Sequence, residues 1–185
     1  MTRPTWGVPG ANSSPGTRPP APLLTAALAL AALVTGQAQA AGPPETAVVS
    51  FTLAGGEVGS PTETVTVARR GDARTMTLTH KGFDKKTHTE TVPLSAEEFD
   101  GIWAVVTTQK LLEFTPREEP GEVFDFGTDT LRTETREKPD EKPRVREQSW
   151  SKPLVNQDRI SPLLVALARL ARDRGKTVKL DNFVP

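Results

Sequence analysis

Apolar and polar residues alternate along the middle of the chain, between about residues 48 and 94. Such a period-two pattern predicts β-strands with one buried face and one solvated face. Threonine, a β-branched residue that favours strands, fills many of the polar positions. The buried positions are Val49, Phe51, Leu53, Val65, Val67, Met76 and Leu78. Because runs of turn-forming residues separate the strands, the pattern predicts an antiparallel meander of three or four strands.

A helical pattern replaces the alternation at Ser95. The sequence Ser95-Ala96-Glu97-Glu98 is a capping box, in which Ser95 and Glu98 satisfy each other's backbone amides. Apolar residues then recur at intervals of three and four, which predicts a helix that ends near Gln109 and buries one face on the sheet. The residues of that face are Phe99, Ile102, Trp103 and Val106.

The second half predicts two more strands and a closing helix. A polar strand covers residues 131–136, and a return strand covers 146–152. The stretch 137–146 holds seven charges and two prolines, which indicates a solvated hairpin tip. Ser161 followed by Pro162 predicts a helix start.

We expect Ile160, before that helix, to pack on Val165 as a hydrophobic staple. Gly175 is expected to end the helix, and residues 177–184 to form a short edge strand. The buried stripe of this helix is predicted to be Leu163, Leu164, Leu167, Leu170 and Ala171. The fold class is therefore α+β: one domain with an antiparallel sheet of about five to seven strands and two packed helices, in the order β-β-β-(β)-α-β-β-α.

The first 40 residues have the features of a secretory signal peptide. Basic residues precede an apolar run from Leu23 to Val34, which is too short to span a bilayer, and Ala38-Gln39-Ala40 supplies small residues for cleavage. We predict cleavage between Ala40 and Ala41, a flexible lead over 41–46 and a single domain over 47–185. The protein is expected in the bacterial periplasm or outside the cell, with no membrane span after cleavage.

Charge and cysteine content exclude several classes of function. Removing Arg3 and Arg18 with the signal peptide leaves 21 basic against 23 acidic residues, a net charge of about −2. A nucleic-acid-binding domain normally has a large basic excess, so we expect no such partner. With no cysteine, the chain has no disulfide, thiol nucleophile or thiolate metal ligand.

Candidate catalytic and metal-binding patterns are weak. His80, Asp84 and His88 surround one turn and are weak candidate zinc ligands. No fourth ligand is evident, and two surface histidines on neighbouring strands explain the pattern better. We predict no catalytic residue, no metal and no cofactor. The loop formed by Gly55, Gly56, Glu57, Val58 and Gly59 fits a hairpin turn better than a phosphate-binding loop, because no helix opens after it.

Three stretches resemble the emfourin family of small proteins that inhibit thermolysin-type metalloproteases. They are Ser50-Phe51-Thr52-Leu53-Ala54-Gly55-Gly56, Leu94-Ser95-Ala96-Glu97-Glu98-Phe99 and the closing segment Pro162-Leu163-Leu164-Val165-Ala166-Leu167. The chain differs in its signal peptide and its charged hairpin. The resemblance implies a non-enzymatic protein that binds a secreted metalloprotease. Loop exposure then favours the N-terminal lead and residues 55–61 as contacts with the protease cleft.

Three functions follow from these patterns. The first is a secreted binding domain that inhibits a metalloprotease. The second is a structural or scaffolding module of the bacterial cell envelope. The third, which the sequence supports least, is a metal-dependent envelope hydrolase that uses His80 and His88.

Overall fold

The computed structural model describes residues 44–56, 60–121, 127–181 and 183. The predicted signal peptide and its cleavage site at Ala40 and Ala41 lie outside these residues. In the described part of the chain, no helix is long and apolar enough to cross a membrane. The elements are β1 (Thr46–Ala54), β2 (Thr62–Arg70), β3 (Ala73–Lys81), β4 (Thr87–Pro93), α1 (Ala96–Thr108), a 3₁₀ turn (Leu111–Glu113), β5 (Thr128–Arg136), β6 (Arg144–Trp150) and α2 (Gln157–Arg174).

The six strands form one sheet in the spatial order β4-β3-β2-β1-β5-β6, and every neighbouring pair is antiparallel. Strand β1 lies inside the sheet, with Val49 opposite Val67 on one side and Thr133 on the other. The predicted α+β class and the order of elements are therefore confirmed.

The two faces of the sheet differ as the alternation predicts. The face toward the helices is mainly apolar: Val49, Phe51, Val65, Val67, Met76 and Leu78 are fully buried, whereas Leu53, which the alternation predicts to be buried with them, is only partly buried. The opposite face carries hydroxyl groups that bond to each other between strands, as between Ser50 and Thr66 (2.8 Å) and between Thr52 and Thr64 (2.9 Å). Cross-strand hydroxyl pairs of this kind stabilise a sheet by a few tenths of a kcal/mol to about 1 kcal/mol each.

The start of α1 confirms the predicted capping box. The Glu98 amide donates to Ser95 Oγ (3.2 Å), and the Ser95 amide donates to Glu98 Oε2 (2.8 Å). The predicted apolar face is buried, and the rings of Phe99 and Trp103 stack with centroids 6.2 Å apart. The helix ends at Thr108, one residue before the position predicted from sequence.

Helix α2 begins one turn earlier than predicted, at Gln157, so Pro162 lies inside it. The predicted staple is wrong, because Ile160 is a buried residue of the helix and Val165 is 41% exposed. The additional first turn of α2 is held by a contact with the segment that follows α1. The Arg159 guanidinium donates to the backbone carbonyl of Gln109, at 2.9 Å from Nη2, just beyond the end of α1.

The buried stripe of α2 also differs from the predicted one. Leu163, Leu167 and Ala171 are buried as expected, but Ile160 and Ala168 complete the stripe. Leu164 and Leu170 are only partly buried. Gly175 ends the helix, as predicted.

The chain after α2 does not form the predicted edge strand; none of its described residues belongs to the sheet. We call residues 176–181 together with Phe183 the C-terminal segment. The Glu90 side chain accepts hydrogen bonds from the backbone amides of Lys176, Thr177 and Val178. Because a side chain takes these amides, they are not available to pair with a strand.

Candidate functional site: a cleft at one end of the sheet

A cleft of about 590 Å³ opens at one end of the sheet. The antiparallel register brings the end of β1, the start of β2, the end of β3 and the start of β5 to this same end. Its apolar walls come from these elements and from the β3–β4 turn: Leu53, Ala54, Pro61 and Phe83. Phe83 is 72% exposed, so this ring faces solvent.

The loop predicted to bind a partner begins at this cleft. Gly55 lines it, and the Gly55 amide donates to the Pro61 carbonyl across the base of the hairpin (3.2 Å). A side chain at Gly55 would clash with Ser60, so the close approach of the two strands requires glycine there. Gly56 is exposed, whereas Glu57, Val58 and Gly59 lie outside the described residues.

Glu63 is a fully buried carboxylic acid at the back of the cleft. Its Oε1 accepts a hydrogen bond from the Asp181 backbone amide (2.8 Å) and lies 3.4 Å from Nδ1 of His80. A buried carboxylate needs such partners, because burial without them is costly. Glu63 therefore ties β2 to β3 and to the C-terminal segment, which gives it a structural role.

Asp129 is the second acidic residue of the cleft, at the start of β5. Burial raises its pKa from 3.8 to about 6, although a hydrogen bond from the Trp150 side chain acts in the opposite direction. The Trp150 indole is held in place by aromatic contacts with Phe51 and Phe114, whose centroids lie 5.7 and 5.9 Å away. Asp129 is therefore half ionised near pH 6, because the cleft favours its neutral form.

The three candidate zinc ligands do not form one site. The sheet register places His80 opposite His88, but His80 pairs with the buried Glu63. Asp84 instead accepts from the Lys86 amide (3.0 Å) and pairs with Nζ of Lys86 (3.3 Å) within its own turn. Across the described residues, no group of three or more His, Asp or Glu side chains could hold a metal ion.

Glu90 forms a second acidic centre, on β4. Its carboxylate accepts the three backbone amides of the C-terminal segment and the Thr177 hydroxyl (2.9 Å). These donors lower the pKa of Glu90 from 4.5 to about 2, with the Val178 amide as the largest cause. We call this arrangement the Glu90 clamp.

The sequence patterns did not lead to Glu63, Asp181 or Glu90, and they favoured a turn between strands as the role of Asp129. Glu63 had one available signal, because it shares the alternation phase of the buried residues Val65 and Val67. Asp129 likewise shares the phase of Leu131. An acid in a buried phase of a strand indicates either a buried ion pair or a functional site.

A scan against protein-family models finds no match to this sequence, and no curated protein matches it. The resemblance to emfourins stays a prediction.

Proposed function

We propose that the protein is an exported, non-enzymatic binding domain that inhibits a thermolysin-type metalloprotease. The observation that carries this proposal is the position of the cleft. It lies beside the β1–β2 loop, one of the two segments whose expected exposure makes them candidate contacts if the protein acts as emfourins do. The predicted signal peptide would bring the domain to the compartment of secreted proteases.

The frame behind this loop is suited to presenting a binding surface. Strand β1 is paired along its length on both sides, and its inward residues Val49 and Phe51 are fully buried. Binding loops on a rigid scaffold lose less conformational entropy when a partner binds. Exposed Phe83 adds an apolar contact beside the loop, as aromatic residues commonly do in interfaces.

The acids near the cleft support binding rather than catalysis. Glu63 is engaged by the Asp181 amide and paired with His80, so it holds the fold together. The candidate ligands of the hydrolase alternative do not converge in the described part of the chain. That alternative therefore has no supporting geometry there.

The direct test is a titration of the purified protein into thermolysin while residual peptidase activity is followed. We expect inhibition that saturates near one equivalent, with the inhibitor recovered uncleaved. Val58→Asp and Glu57→Lys, both in the predicted contact loop, should weaken inhibition. Asp100→Lys is the matched control, because Asp100 is an exposed residue of α1 and lies outside the cleft lining and outside both predicted contact segments.

Two results would contradict the proposal. Full protease activity at a large excess of intact protein would remove the inhibitor function. Inhibition that is unchanged in both loop variants but lost in Asp100→Lys would place the contact surface away from the predicted loop.

A further inference from the structure

We propose that the cleft receives an arginine side chain of the protein partner, with the guanidinium between Phe83 and the carboxyl groups of Asp129 and Asp181. This inference rests on the proposed binding function and names the chemistry that the partner would present. It follows from the charge of the lining, from the exposed aromatic ring and from the size of the cleft.

The charged lining of the cleft is one-sided. Three carboxylic acids, Glu63, Asp129 and Asp181, line it together with a single imidazole, His80, and its described lining has no lysine or arginine. Glu63 is committed to the fold by its contacts, whereas Asp181 is exposed and only its backbone amide is engaged by Glu63. A cationic group is therefore the complementary ligand.

The carboxylate of Asp129 lies in the cleft without a cation from the described part of the chain to offset its loss of water. The causes of its raised pKa are burial and, in the opposite direction, the hydrogen bond from Trp150; no neighbouring cation contributes. At neutral pH the folded protein thus holds a partly desolvated carboxylate whose cost a cation from outside would offset. Residues that disfavour their own fold in this way are often part of binding sites.

Phe83 selects arginine among the cations. A guanidinium can stack on an aromatic face while its planar fork donates two hydrogen bonds to a carboxylate, which the ammonium of lysine cannot do with the same geometry. The ring stands 72% exposed on the wall of the cleft. A volume of about 590 Å³ is within the range of ligand sites and leaves room for the residues that flank the arginine.

The test is an NMR titration of the full purified protein with Nα-acetyl-arginine amide at pH 7.5. The matched probe is Nα-acetyl-citrulline amide, which has nearly the same shape and no charge. We expect saturable shifts of the Glu63, Asp129 and Asp181 amides, with the arginine probe bound about tenfold more tightly, as charge-assisted hydrogen bonds imply.

Two variants and one control complete the test. Asp129→Asn should weaken binding of the arginine probe about tenfold, and Phe83→Leu should weaken it by a smaller factor. Asp140→Asn, at the opposite end of the sheet, should leave it unchanged. Preserved dispersion of the amide spectrum shows that each variant is folded.

The inference is overturned if the arginine probe does not shift these amides, if citrulline binds equally well, or if Asp129→Asn binds arginine as the parent does. These outcomes are distinct from failure of the proposed function. Arginine binding without protease inhibition would contradict the inhibitor function and support the cleft as an arginine site. Inhibition without arginine binding would contradict the arginine site and leave the inhibitor function standing.

Discussion

The Glu90 clamp and the Asp129 cleft place carboxyl groups in opposite electrostatic situations on the same side of one sheet. Glu90 receives three backbone amides and a hydroxyl, and its pKa falls to about 2. Asp129 receives one side-chain donor and is desolvated, and its pKa rises to about 6. Hydrogen-bond donors stabilise the ionised carboxylate and lower its pKa, whereas loss of water raises it. The larger of these two effects decides the direction of each shift.

The consequence is a difference in role. The ionised form of Glu90 stabilises the folded chain, whereas the ionised form of Asp129 opposes folding. The C-terminal segment joins the two regions, since its start lies in the clamp and Asp181 borders the cleft. The Asp129 cleft, whose ionised carboxylate lowers the stability of the fold, is therefore a stronger candidate for a functional site than the Glu90 clamp.

The largest effect is expected from Phe183→Ala, which should disturb both regions. Phe183 is buried and meets the Phe51 ring edge-on, with centroids 6.0 Å apart. Truncation of a buried phenylalanine costs about 3–5 kcal/mol of unfolding free energy. Chemical denaturation would measure the loss; a change below about 1 kcal/mol would show that the C-terminal segment is not part of the core.

Trp150→Phe should act on the cleft alone. It removes the indole donor of Asp129 but keeps an aromatic ring between Phe51 and Phe114. We expect a loss of about 1–3 kcal/mol, typical of a buried polar group deprived of its partner. The pKa of Asp129, followed by carboxyl NMR, should rise further. An unchanged or lower pKa would contradict the assigned hydrogen bond.

Asp129→Asn should stabilise the protein at pH 7.5 by about 1 kcal/mol, a figure that allows for solvent screening of a half-exposed group. The folded-state pKa of about 6 lies above the ordinary value of 3.8, so protonated Asp129 favours folding. This contribution is present below pH 3.8 and is lost as the pH rises through about 6.

The measurement for Asp129 is the difference in Tm between the parent and Asp129→Asn across pH 3 to 8. The asparagine variant should gain on the parent as the pH rises through this window. A constant difference would show that the carboxyl group is not desolvated. Asp140→Asn, on the exposed hairpin tip, serves as the control for a change in net charge.

Glu90→Gln should have the smallest effect, because the side chain is only partly buried and water can replace the carboxylate as the acceptor for the three amides. The folded-state pKa of about 2 lies below the ordinary 4.5, so stabilisation is present above pH 4.5 and is lost as the pH falls through about 2. We expect a lower Tm at neutral pH and faster hydrogen exchange of the Thr177 and Val178 amides. Unchanged exchange would contradict the clamp, and Glu141→Gln on the exposed tip is the control.

Local chemistry made much of this fold predictable. The alternation from Val49 to Leu78 sets the strands and their buried face, and the Ser95–Glu98 box sets the start of α1, because both depend on residues close in sequence. The start of α2 at Gln157 was not predictable in this way. It depends on Arg159 reaching the carbonyl of Gln109, which lies 50 residues away.

The candidate site was harder to predict for the same reason. Glu90 meets amides 86 to 88 residues further along the chain, and Glu63 meets one 118 residues away. No local pattern encodes such pairs. The predicted loop at Gly55 does border the cleft. The buried phase of Glu63 and of Asp129 marks each acid singly, but the register is needed to show that they share one cleft.

The sheet order also governs how the chain folds. Strands β1 to β4 pair with their neighbours in sequence, whereas the β1–β5 pairing joins Thr46 to Arg136 across 90 residues. Loop closure of this length is entropically costly, so we expect the meander to form first and β5 to join later. In that interval β1, the most apolar strand, has one unpaired backbone edge, and this edge is where intermolecular aggregation would begin.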